Sequence, residues 1–294
     1  MSKSPPSIAL PLAAKALSEA PPHHAEVAPP QAAPAPLFAL RQGIPASMYW
    51  GLAIVGLLAP LVLWMLAVAS GRVEPVFLPG PAKVIERVQV WWADGLLGDI
   101  GISTMRVVVG WALASLLALP LGLLIGSWRV VQALLEPMMD FIRYMPAVAF
   151  VPLVMVWVGI DEGAKVAIIF IGTFFPMVLM VAEDTRRVPM AQIEAAQTMG
   201  ATRWEIVEKV ILPSAKPALL YTLRVNMGCA WTYLVVAELV AANSGLGYSI
   251  LKAQRFLQTD KIFAGILIIG LIGLVIDQLF RLAHRKAFPY MHTR

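Results

Sequence analysis

Cysteine is nearly absent: Cys229 stands alone, so no internal disulfide can form. Set inside an apolar run, it reads as a small buried hydrophobe. Histidine is scarce too. His23, His24, His284 and His292 lie in terminal tails or at a helix end, so no Cys/His cluster and no metal site is expected. No G-x-x-x-x-G-K-[ST] run is present to cradle nucleotide phosphates, and no nucleophile–base pairing is legible. The chain is therefore expected to carry no catalytic residues and no cofactor of its own. Charge is also sparse: Asp, Glu, Lys and Arg make up 14% of the 294 residues, against about 25% in soluble domains.

What fills the space is apolar. Hydrophobic residues are 59% of the chain and mean hydropathy is +0.74. One water-facing domain cannot hide that much apolar surface, so the expected solvent is lipid and the fold class an all-α membrane protein. The net charge of +5 fits basic loops beside a membrane and does not call for nucleic acid.

Residues 1–47 are rich in Pro and Ala, with Pro-Pro at 5–6, 21–22 and 29–30. That composition predicts a disordered tail, with residues 48–294 as the membrane domain. The first long apolar run begins near Met48, beyond the usual reach of a signal peptide. Six apolar stretches follow: Met48–Ala69, Ile102–Trp128, Tyr144–Val158, Val166–Ala182, Ala218–Ala242 and Ile262–Leu282. They predict six transmembrane helices. Pro146, Pro152 and Pro176 suggest kinks within the third and fourth. Thirteen Lys and Arg fall on the side that would hold both termini and seven on the other. This predicts a multi-pass inner-membrane protein with both termini inside.

Two expected outside segments carry helical patterning. In 79–95, Val84, Val88, Trp91 and Trp92 recur at helical spacing, which predicts an amphipathic helix with both Trp among lipid headgroups. Residues 243–260 read as a Gly-rich turn and a short helix. The longest polar stretch after the tail, 183–217, reads as two short helices and a tight turn. Pro189 opens the first, Gly200 closes it, Thr202 and Glu205 form a capping box, and Pro213 stops the second. Such an element suits docking better than chemistry.

Ionisable groups within membrane spans are functional candidates because they are costly there. Arg106, Asn226, Trp231 and Glu238 are the candidates for the translocation pathway. Arg106 and Glu238, near the outer ends of their spans, could instead snorkel to the interface or pair with each other. Arg224 reads as an interfacial anchor, and Asp277 as a partner of Arg281 four residues on.

Glu194, Ala195, Ala196 and Gly200, followed by Val210-Ile211-Leu212-Pro213, match the E-A-A-x3-G…I-x-L-P pattern with Val in place of the first Ile. Further stretches agree in order: Leu78–Pro81, Thr104 with Arg106, Pro146–Lys165, Phe174–Pro176 and Ala230–Ile250. On these residues the chain resembles ABC importer permeases of the nitrate/sulfonate/taurine branch. The resemblance implies a type I importer permease-like fold with a cytoplasmic coupling helix at about Pro189–Gly200. Glu194, Ala195, Ala196, Gly200 and Pro213 would form the ATPase-coupling site. It implies ATP-binding subunits as partners, a second permease copy, an external substrate-binding protein, and a small anion such as a sulfonate, taurine or nitrate as cargo. A self-contained secondary transporter or channel is the alternative, but it gives 183–217 no purpose and no internal repeat is visible. An inert membrane scaffold would not carry so many helix breakers.

Overall fold

The computed structural model describes residues 44–291, of which Met291 and Ala241 are placed in backbone only. The expected tail, apart from residues 44–47, lies outside the described residues, as do His23, His24 and His292. The first helix, α1 (Ala46–Ala69), starts two residues before the expected boundary. The chain divides into two units at Leu61/Val62. In the first, the described residues are the opening half of α1, where no side chain is buried and Leu57 is 77% exposed. An apolar helix exposed on every side is built to meet lipid.

The second unit continues through α2 (Pro81–Ala93), α3 (Leu96–Ser127), α4 (Arg129–Arg143) and, after a 3-10 turn at Ala147–Phe150, α5 (Val151–Val158). Then come α6 (Glu162–Arg186), α7 (Met190–Thr198), α8 (Arg203–Ile206), α9 (Leu212–Ala241), α10 (Leu246–Arg255) and α11 (Thr259–Ala287). The packing axis is α3 against α6. Gly110, Ala114, Ala118, Gly122 and Gly126 recur every fourth residue along one face of α3. A β-carbon on Gly110 would overlap Ile169, on Gly122 Val181, and on Gly126 Thr185. The ladder thus lets two backbones approach closely, which is how helices associate where lipid offers no hydrophobic drive. Buried hydroxyls on these helices donate within their own turn, Thr173 to the Ile169 carbonyl and Thr185 to that of Val181, both at 2.8 Å.

Among the described residues, four helices are long and apolar enough to cross a membrane: α1, α3, α6 and α11. The expected third span, Tyr144–Val158, is not a helix of its own. Its residues form the second arm of a bent pair that leaves α4 at 88°, a fifth span if the pair is one broken crossing. Pro146 holds the extended angles φ −63° and ψ 121° before the 3-10 turn, and Pro152 opens α5. A proline disfavours helical geometry in the residue before it, so the chain turns there. The expected fifth span is α9. It is 30 residues long, about 45 Å, but Arg224, Asn226 and Glu238 make it too polar to stand with the four.

Three smaller expectations are corrected. Pro213 does not stop a helix: a π turn at Val207–Ile211 joins α8 to α9 without a loop, and Pro213 falls in the first turn of α9. The Leu212 N–H there bonds to Val207 O, five residues back, and a widened turn accommodates the proline ring and its missing donor. The two Trp of α2 meet different surroundings. Trp91 is 2% exposed and donates from Nε1 to Asp99, whereas Trp92 is 59% exposed. Cys229 is exposed on α9, not buried.

Candidate functional site

Between α6 and α9 the backbone is tightly closed at every turn. Val188 is buried, Pro189 caps α7, and α7 ends in a Schellman motif. Gly200, at φ +83°, donates to the Gln197 carbonyl at 2.9 Å, and Ala201 donates to that of Ala196 at 3.1 Å. Thr202 then caps α8, and Glu205 completes the capping box by accepting from the Thr202 N–H at 3.0 Å. The Thr202 N–H and hydroxyl, with Lys209, hold the Glu205 carboxyl down to about 2. Ser214 Oγ donates to Gln192 Oε1 at 2.9 Å and ties α7 to the start of α9.

This closure decides which matched residues are available to a partner. Glu194 and Ala195 are exposed. Ala196 is 4% exposed and belongs to the chain's own core, so it supports α7 from behind. Pro213 is exposed at the mouth of α9. Met190 (60% exposed), Met199 (82%) and Trp204 (65%) stand on the same segment. Sequence reasoning passed over these three, although a large apolar side chain amid so polar a stretch is a usable signal for a contact surface.

A second constellation forms at the other end of α9. Arg106, on α3, has no exposed surface. Its Nε and Nη2 grip Glu162 at 2.5 and 2.6 Å, while Nη1 donates to Glu238 Oε1 at 2.6 Å and to the Ser244 carbonyl at 2.8 Å. Glu238, equally buried, also accepts from Ser103 Oγ at 2.7 Å and from the Gly247 N–H at 2.6 Å. Ser103 in turn accepts from the Leu246 N–H at 2.9 Å. Lys165 is buried and reaches Glu162 at 2.8 Å. Asp99 extends the network, accepting from the Gly245 N–H, Ser249 Oγ and Trp91 Nε1 at 2.9, 2.8 and 3.1 Å. Two cations, Arg106 and Lys165, face two carboxylates, Glu162 and Glu238. Each buried cation thus has a carboxylate beside it, which burial of ions demands.

Gly245 belongs to this arrangement for a steric reason. Its φ is +111°, and a β-carbon there would run into the Glu238 carboxylate. The network therefore fixes the 244–249 segment against α3, α6 and α9 at once.

Of the four pathway candidates, the structure brings Arg106 and Glu238 together and leaves Asn226 and Trp231 apart from them. Asn226 is 2% exposed and donates to the Thr222 carbonyl at 3.2 Å. Trp231 is 5% exposed, sits in an apolar cluster, and has no partner for its indole N–H. The network residue with an open face is Glu162, whose side chain is 47% exposed. It borders a cleft of about 380 Å³ with Lys165, Asn243 and Ser244. Sequence reasoning did not single out Glu162, Lys165 or Ser103, although a Glu three residues before a Lys at a helix start is a visible pair. Arg224 is no lone anchor. It binds Asp277 through two contacts of 2.5 and 3.0 Å, and Arg281 reaches the same carboxylate at 3.0 Å.

Comparison with known proteins extends these observations. The family profile described as "Binding-protein-dependent transport system inner membrane component" matches residues 118–288. A probable ABC transporter permease of Brucella melitensis is 39% identical over 224 residues, which cover 76% of this chain and 90% of that relative. The taurine transport system permease TauC of Escherichia coli is 32% identical over 252 residues, 84% of this chain and 92% of TauC. In fold the chain is similar to a solved inward-facing structure of the MetNI methionine ABC transporter, with a TM-score of 0.53 and 23% identity. That likeness covers 64% of this chain and 95% of the other.

Proposed function

This chain belongs to the family of binding-protein-dependent transport system inner membrane components, and from that premise we propose how it works: residues 183–217 dock on a separate ATPase, and α9 carries the motion to the buried network. The chain is an ABC importer permease, multi-pass and all-helical, and ATP hydrolysis belongs to another subunit. Its cargo is a small anion such as a sulfonate, taurine or nitrate; the likeness to a taurine permease supports this. Both termini face the cytoplasm, a reading supported by the distribution of Lys and Arg. A second copy of the chain completes the pathway. The exposed apolar side chains of the broken segment, among them Leu134, Phe141, Val156 and Trp157, support that pairing.

One observation carries the coupling reading: from Arg203 to Ala241 the chain is helical without a loop. A push on α8 therefore passes directly into α9, and α7 is tied to the start of the same helix through Ser214. Glu238 rides near its far end, bonded to Arg106 and to the 244–247 turn. Closure of the ATPases would thus rock α9 against α3 and α6, and shift the turn that the network holds. Glu194, Ala195 and Met199 form the contact surface. Gly200 sets its angle, Ala196 supports it, and Pro213 marks where it enters α9. Arg106 and Glu238 serve the pathway as positioning residues, with Glu162 at its edge. Asn226 and Trp231, enclosed by packing, do not touch cargo in this arrangement.

The test compares Gly200→Val with Gly95→Val. Both glycines have positive φ and open space around the missing β-carbon, so each substitution costs about 1–2 kcal/mol of backbone strain. The Gly200 variant should insert normally yet lose ATPase pull-down and substrate uptake, while the Gly95 variant keeps both. Normal pull-down and uptake for Gly200→Val would remove 183–217 as the coupling element.

A further inference from the structure

We infer that the cleft between α9 and α11 holds the phosphate headgroup of an anionic phospholipid. The cleft has a volume of about 260 Å³ and is walled by Tyr221, Phe280 and three arginines, Arg224, Arg281 and Arg285. One carboxylate, Asp277, answers both Arg224 and Arg281. Among the described residues Arg285 forms no ion pair. The pocket is therefore left with two guanidinium charges beyond what Asp277 balances. Arg224 is already oriented by its two bonds to Asp277, so one donor group is fixed before any ligand arrives. A planar guanidinium matches phosphate oxygens in geometry as well as charge.

The same helix supplies a track for acyl chains. Leu267, Leu271, Leu274, Val275, Leu279 and Leu282 are all at least half exposed; Leu271 leads to the adjacent Leu274 and Val275, and the other steps are three or four residues. The next steps along that face are Arg285 and Lys286. From Leu267 to Leu282 the stripe runs about 22 Å, enough to accompany one leaflet's hydrocarbon of about 15 Å. The track leads to Arg285, which also walls the cationic pocket, so an acyl chain on the track can place its headgroup at the pocket. A soluble phosphate would use the pocket alone and leave the track unexplained. Basic pockets between membrane helices are the setting in which anionic headgroups are recognised.

The test is titration of the purified full chain in detergent with phosphatidylglycerol, and with phosphatidylcholine of the same acyl chains, read by native mass spectrometry. Phosphatidylglycerol should bind preferentially. In the Arg281→Gln/Arg285→Gln variant, which keeps the Arg224–Asp277 pair, its affinity should fall roughly 30-fold, the weight of two cation contacts with an anionic headgroup. A Lys83→Gln/Lys252→Gln variant removes the same charge from exposed positions elsewhere and should bind as the parent does. Excess inorganic phosphate or glycerol 3-phosphate should not displace the lipid. Equal binding of the two lipids, or undiminished binding by the Arg281/Arg285 variant, would overturn the assignment. So would displacement by the soluble phosphates, which would reassign the cleft to a free anion.

Discussion

Loss of one carboxylate charge at Glu238 should be costly, and the bonding pattern says how. The carboxylate receives three donors: Arg106 and Ser103 at one oxygen, Gly247 at the other. In Glu238→Gln the amide offers one oxygen and one NH₂. Facing its oxygen toward Arg106 and Ser103 sets the NH₂ against the Gly247 N–H. The flipped rotamer sets it against Arg106, and against a Ser103 hydroxyl already fixed by Leu246. Either way a buried donor is stranded, at about 1–3 kcal/mol, beside the loss of a charge-assisted bond of about 1.5–3 kcal/mol. Arg106 still keeps Glu162, so the expected total is about 3 kcal/mol. Arg106→Gln should cost more, about 4 kcal/mol, because it leaves Glu238 charged and enclosed. The double variant should fall short of the sum by about 2 kcal/mol, the coupling of a direct pair. Unfolding of the full chain in mixed micelles, followed by tryptophan fluorescence, measures all three, with Glu86→Gln, at an exposed position of α2, as reference. A Glu238→Gln shift within about 0.5 kcal/mol of the parent would refute the derivation, since that is the scale of an unremarkable surface substitution.

Gly245→Ala should mimic the loss of the network, because its β-carbon displaces the Glu238 carboxylate; the same unfolding assay should show at least about 2 kcal/mol of destabilisation. Gly122→Val should separate α3 from α6, at a cost of about 3 kcal/mol, whereas Gly98→Val, with nothing near the added carbon, should be mild. Glu205→Ala should lower stability at neutral pH. The Glu205 carboxyl lies near 2 rather than the ordinary 4.5, so its contribution is present above 4.5 and is lost as pH falls toward 2. The gap between parent and variant should therefore shrink across that window in a pH series of unfolding midpoints.

The α7–α8 turn was legible because its physics is local. A glycine at a left-handed C′ position and Thr202 followed three residues later by Glu205 state their bonds by spacing alone. The error at Pro213 has the same origin. Spacing reads a proline as a stop, but the π turn before it adapts the ladder, and nothing in the local string announces that change of hydrogen-bond register. Trp91 and Trp92 looked alike as neighbours, yet adjacent helix positions point about 100° apart, and only the packing of α3 and α11 determined which one would be enclosed.

By itself the sequence determined the solvent, the helical class and the closed turn between α6 and α9, since hydropathy and capping act within a few residues of chain. The Asp277–Arg281 pair, four residues apart, was legible locally; only the tertiary structure decided the distant charge partners. Arg106 meets Glu162 across 56 residues and Glu238 across 132, and Arg224 meets Asp277 across 53. The first of these meetings depends on how closely α3 can approach α6, and so on the glycines and alanines that let those helices touch. An ionic group buried in such a bundle must find its counter-charge wherever the backbone path brings one, and that path is a property of the whole packing rather than of any stretch of sequence.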